Sequence, residues 1–166
     1  YNYKPATTLP ATIQLDVSAT LSRLNGNNRS TRCTGAQARI VVDRAMAGQA
    51  SFSGGWGAEA PYTIYFYAEF DQPFERAGSW TTDTLLQTAN QVEGTHIGLY
   101  AGFTVKQRQA VQLKLAISYI SQEQARQNLQ AEIPHWNFEE ARQAAWQAWQ
   151  QHLGVVRVKG GTPEQR

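Results

Sequence analysis

The run Tyr62-Thr63-Ile64-Tyr65-Phe66-Tyr67-Ala68-Glu69-Phe70-Asp71 decides the fold. Ile64, Phe66, Ala68 and Phe70 fall on one side of it, and Tyr65, Tyr67, Glu69 and Asp71 on the other. A period of two is the mark of a strand, because successive side chains leave opposite faces of the backbone. Upstream, Ile13, Leu15, Val17, Ala19 and Leu21 alternate with polar residues until Asn25-Gly26-Asn27-Asn28 breaks the pattern. Downstream, Ile97 to Val105 and Val111 to Tyr119 repeat it. Short strands at Arg39–Asp43 and Ser51–Gly55 stand between. Successive strands with Gly-rich turns and no helical crossover predict an antiparallel β-sandwich.

Beyond about residue 120 the period changes. Ser121 with Gln124, and Asn137 with Glu140, match capping boxes, which satisfy free N–H groups at a helix start. The first helix should end at Ile133 before Pro134. The second should end at Leu153, with Gly154 as the C′ residue. Its apolar stripe is Phe138, Ala141, Ala145, Trp149 and His152 or Leu153. Val155–Val158 reads as a short strand or an extended exit, and Gly160-Gly161-Thr162-Pro163 as a linker. The fold class expected is mainly β: a sandwich over 1–119, then a C-terminal helix pair over 120–166.

Composition sets the outer limits. The 166 residues suffice for one ordinary domain. Hydrophobic residues make up 42% and charged residues only 17%, which excludes a disordered chain. The net charge of +2 has no basic stripe behind it, so no nucleic-acid partner is expected. Cys33 is the sole cysteine, which excludes an internal disulfide and any multi-Cys metal site. The longest mainly apolar run, at Tyr62–Phe70, is about ten residues against the ~20 of a membrane span. The opening Tyr1-Asn2-Tyr3-Lys4-Pro5 has no signal-peptide pattern. A chain without an initiator Met is expected to be processed or a piece of a longer one.

Few patterns carry chemistry. His96, His135 and His152 have no metal-ligand spacing, so no metal site is expected. Ser53-Gly54-Gly55-Trp56-Gly57 opens no helix and cannot cradle a phosphate as a helix N-terminus does. No nucleophile elbow is present. Glu139 and Glu140 complement a helix dipole. Glu69 and Asp71 share a strand face with Tyr65 and Tyr67. Two acids beside two rings would suit a sugar site; the other reading is the solvated face of an edge strand. The acids would stand about 7 Å apart, within the span of an inverting glycosidase pair. Both leave a flat surface in the same direction, however, with nothing to enclose a sugar, so no catalytic residue is assigned. Trp56 and Trp80, expected in loops, could stack on sugars, plug an interdomain contact or cap the sandwich. Trp136, Trp146 and Trp149 read as core or as docking surface, more apolar area than a small sandwich hides.

Ile117-Ser118-Tyr119-Ile120-Ser121-Gln122-Glu123-Gln124-Ala125-Arg126-Gln127-Asn128-Leu129-Gln130-Ala131-Glu132-Ile133-Pro134 resembles the family 92 glycoside hydrolases, the exo-acting α-mannosidases. Phe138, Trp149 and Val156-Arg157-Val158-Lys159-Gly160-Gly161-Thr162-Pro163-Glu164-Gln165 continue the match, and Tyr62–Pro73 with Gly78-Ser79-Trp80 resembles the family's sandwich. The resemblance implies an N-terminal sandwich joined by linker helices to a large (α/α)6 barrel. That barrel holds the catalytic acid and base and a calcium site that helps distort mannose. Arg166 falls about where the barrel begins, and the family's glycine-rich opening with its Asp-Pro start is not found. The chain therefore resembles an excised, non-catalytic piece, without cofactor. Its partners would be the barrel of the same polypeptide and, through the whole enzyme, mannose-containing glycans. The family implies a secreted, periplasmic or cell-surface location. Asn28-Arg29-Ser30 fits a glycosylation sequon, relevant only in a eukaryotic secretory host.

Three functions compete. An accessory domain of an α-mannosidase would dock through Trp146 and Trp149. A self-standing carbohydrate-binding module would use Trp56, Trp80, Tyr65 or Tyr67. A structural, adhesion-like sandwich would do neither.

Overall fold

The computed structural model describes residues 2–3, 9–20, 31–55, 60–86, 89–155 and 160–162. The Asn25–Asn28 break, the Asn28 sequon, Trp56 and Val156–Val158 lie outside them. Among the described residues ten strands and two helices follow in order. They are β1 (Asn2–Tyr3), β2 (Leu9–Asp16), β3 (Arg32–Val42), β4 (Ala45–Ser53) and β5 (Tyr62–Phe70). Then come β6 (Arg76–Thr81), β7 (Leu85–Leu86), β8 (Gln91–Gly94), β9 (Ile97–Val105) and β10 (Val111–Ser118). Two helices follow, α1 (Gln122–Glu132) and α2 (Phe138–Leu153).

The strands form two antiparallel sheets, a six-stranded one ordered β1-β10-β5-β4-β3-β8 and a four-stranded one ordered β2-β9-β6-β7. Their inner faces make one core. Ala36, Ala38, Met46, Ala50, Ala68 and Phe70 from the larger sheet meet Ile97, Leu99, Ala101, Phe103 and Val105 from the smaller. Phe70 and Phe103 pack across it with ring centroids 5.3 Å apart, and Phe74 packs edge-on against Phe70.

β1, β6, β7 and β8 are not expected from the sequence, and three expected strands have other bounds. β2 stops at Asp16, short of Leu21. The Asp16 carboxylate accepts hydrogen bonds from the Ser18 N–H (3.0 Å) and hydroxyl (2.9 Å), turning the chain away from the ladder. β3 and β4 are longer than the stretches around Ile40 and Ser51. The added segments are rich in Ala, Gly and Gln, which carry little strand signal. Small residues are needed there: a Cβ on Gly48 would stand 2.5 Å from the Gln37 carbonyl oxygen and 2.6 Å from the Phe66 ring.

The chain divides into two compact units, Tyr1–Pro134 and His135–Arg166. α1 belongs to the first. It covers β5 and β10 on the outer face of the large sheet, burying Ala125 and Leu129. Ser121 caps it by accepting the Gln124 N–H at 3.0 Å, but the Gln124 side chain turns to Asn128 and leaves the box half formed. Polar contacts help tie it down. Asn128 donates to the Ile117 carbonyl (3.1 Å), and the Lys114 ammonium to the Ile133 carbonyl (3.0 Å).

The second unit is α2 and its flanks. Asn137 caps α2 by accepting the Glu140 N–H and donating to the Glu140 carboxylate. Gly154 is the C-cap itself, with φ −76°, not a left-handed C′ residue. Its lack of a side chain serves close approach instead, since a Cβ would stand 2.5 Å from the Gln150 carbonyl oxygen.

Candidate functional site

β5 is neither an edge strand nor solvated on its outer side. It lies between β10 and β4, and α1 packs over its outward residues. Tyr65, Tyr67 and Glu69 are half-buried there. Burial, reinforced by the neighbouring Glu69 carboxylate, pushes the Tyr67 phenol above its ordinary range, while the Arg126 guanidinium on α1 acts against it. Glu69 stands across the ladder from Lys114. Asp71 follows the strand end and accepts the Gln112 N–H at 3.0 Å, closing the β5–β10 pair. The two carboxylates thus answer to different neighbours.

Two cavities flank α1. One of about 290 Å³ is lined by Gln37, Arg39, Gln91 and Gln122, with the Arg39 guanidinium 3.3 Å from the Gln122 side-chain oxygen. The other, about 270 Å³, lies between β10 and the end of α1 and is lined by Leu115, Ile117, Leu129 and Ile133. Neither is lined by Glu69 or Asp71. Among the described residues no three His, Cys, Asp or Glu side chains gather where they could hold a metal ion.

Trp80 stands in β6, not in a loop. It faces outward on the four-stranded sheet, opposite Gly98 of β9. Its ring fills the space a side chain at 98 would take: a Cβ there would lie 2.3 Å from the indole. The indole N–H is shielded and has no hydrogen-bond partner among the described residues. Two further side chains repeat the arrangement. Tyr100 covers Gly78, and Arg76 covers Gly102. Sequence reasoning missed Tyr100 and Arg76, although the outward glycines at 78, 98 and 102 were visible as a pattern.

On α2, Trp146 and Trp149 are 59% and 65% exposed, with Phe138 and Leu153 also open. No residue of that helix is buried. Leu115, Ile117, Tyr119 and Ile120 form a second exposed apolar row, running from β10 toward α1.

The profile of the glycosyl hydrolase family 92 N-terminal domain matches residues 1–118. The chain belongs to glycoside hydrolase family 92. The profile of that family's catalytic domain takes over at residue 124 and runs to 166. A family 92 α-mannosidase from Bacteroides thetaiotaomicron is similar in structure, with a TM-score of 0.80 and 21% identity over 96% of this chain and 21% of its own. A family 92 inverting mannosidase from the same organism gives 0.70 and 27% over 78% of this chain and 18% of its own. An uncharacterized secreted glycosidase from Arthroderma benhamiae is 38% identical over 53 residues, 31% of this chain and 7% of that protein. The chain thus spans about a fifth of the solved relatives and less of the curated one. No helix of the described residues is long and apolar enough to cross a membrane.

Proposed function

We propose that this chain is the non-catalytic, sandwich-bearing part of an exported α-mannosidase. It docks on an (α/α)6 barrel of the same polypeptide and helps shape the pocket that hydrolyses α-linked mannose. The observation that carries the reading is the succession of the two family 92 profiles along one chain, N-terminal domain to 118 and catalytic domain from 124. The geometry is in keeping with it. Hydrolysis needs two carboxyls facing each other across a bound sugar, whereas Glu69 is half-buried on a strand face that α1 covers and Asp71 accepts the Gln112 N–H at the end of that strand. The exposed aromatic residues of α2 and the exposed row on β10 are the kind of surface that a neighbouring domain covers. Secretion is supported by the similar secreted glycosidase. The test compares this chain with its full reading frame on α-mannobiose. Release of mannose by the full-length protein, with none above buffer from the 166-residue chain, is the expected result. Turnover by the chain alone, or none by the full-length protein on any α-mannoside, would overturn the proposal.

A further inference from the structure

The outer face of the four-stranded sheet carries an arrangement that packing of the core does not require. Its rows follow the register of β2, β9 and β6. Trp80 lies over Gly98 with Asp16 beyond it; Tyr100 lies over Gly78 with Gln14 beside it; Arg76 lies over Gly102 with Thr12 beyond it. Successive rows stand about 7 Å apart. In each, one large planar group spreads over a bare backbone, and a β2 side chain with hydrogen-bonding capacity stands at the margin. Asp16, Gln14 and Thr12 are exposed, and Trp80 and Tyr100 keep part of their rings open.

We infer that this face binds a neutral oligosaccharide, its pyranose rings stacked on Trp80 and Tyr100. The C–H face of a pyranose is apolar and weakly positive, and it packs on the negative face of an aromatic ring. Its hydroxyls need in-plane donors and acceptors, which Gln14, Asp16, Thr12 and the Arg76 guanidinium supply around the rings. Charge argues against an anionic ligand, since the Arg76 cation is met by two carboxylates, Asp16 at the far row and Glu75, which accepts the Thr104 hydroxyl at 2.8 Å on the same face. An apolar protein partner would meet polar groups in every row. The choice of α-linked mannose as first ligand rests on the mannosidase reading; the platform does not.

The test is calorimetric titration of the 166-residue chain with yeast α-mannan and, separately, cellohexaose. Each is repeated for Tyr100→Ala, Gln14→Ala and Tyr100→Phe. Because a Trp80 variant risks misfolding, the Tyr100 and Gln14 variants carry the argument, with circular dichroism confirming their fold. The expected result is binding that Tyr100→Ala weakens about tenfold and Tyr100→Phe largely restores. Binding of cellohexaose alone supports the platform and counts against the mannosidase reading, so the two fail separately. No binding of either sugar overturns the inference, as does binding that both Ala variants leave intact. A concentration-dependent dimer abolished by Tyr100→Ala would assign the face to a second copy. Loss of binding in the full-length protein would assign it to the rest of the polypeptide. Either outcome overturns it.

Discussion

Ser18 shows how much one small side chain can hold. It is buried, it accepts the Ile97 N–H at 3.2 Å, and its N–H and hydroxyl both engage Asp16. Ser18→Ala would leave the Ile97 N–H without its partner at the first residue of β9, a loss of about 1–3 kcal/mol. Urea unfolding of the variant measures it. Tyr67 supplies a pH signature. Its phenol titrates above the ordinary 10.0 because burial and Glu69 disfavour the charged form. A raised folded pKa means the stabilising contribution is complete below the unfolded value and fades as pH rises toward the folded one. The chain should therefore lose stability above about pH 10, and Tyr67→Phe should lose less over the same window. Thermal melts at pH 9 to 11 decide it, and equal losses in both proteins would refute the assignment. Neither role was legible in the sequence. Ser18 read as a polar position in a strand that continued to Leu21, and Tyr67 as half of an open aromatic face.

At the scale of elements, the helices divide by what they bury. α1 holds to the sheet through Ala125 and Leu129, so Leu129→Ala should cost about 2–5 kcal/mol in denaturant unfolding. Both helices carry an acid–arginine pair in their first turns. The Arg126 hydrogen bonds hold Glu123 below its ordinary range, and Arg142 does the same for Glu139. A lowered carboxylate pKa stabilises above the unfolded value and is lost as pH falls through the folded one. Helicity should thus decline gradually below the ordinary carboxylate range. Because both pairs are exposed, about 0.1 M salt should blunt the effect, and far-UV circular dichroism against pH and salt checks it. The helix boundaries were readable because caps and Pro134 are local signals. The covering of β5 was not, since nothing in Tyr62–Phe70 says which later element returns over its outer face.

At the scale of the whole molecule, the exposed aromatics separate stability from function. Trp146→Ser and Trp149→Ser should change the unfolding free energy of this chain little, by about 0.5 kcal/mol or less in urea unfolding, because neither ring is buried. Under the docking proposed above, the same pair in the full-length protein should lower turnover of α-mannobiose or the melting temperature. No effect on either would remove these residues from the docking surface.

The sequence by itself determined the class of fold, the two capped helices, the family and the absence of a recognisable catalytic motif. Alternation of apolar residues, caps and helix-stopping residues act over a few positions, so they can be read without coordinates. The tertiary structure alone decided that β5 is interior to its sheet, that β4 runs through Ala and Gly, and that Trp80, Tyr100 and Arg76 share one outer face. Those facts depend on which strands become neighbours and in what register. Register is set by complementary shape across the sandwich, where a missing Cβ at Gly48 or Gly98 matters as much as any side chain present.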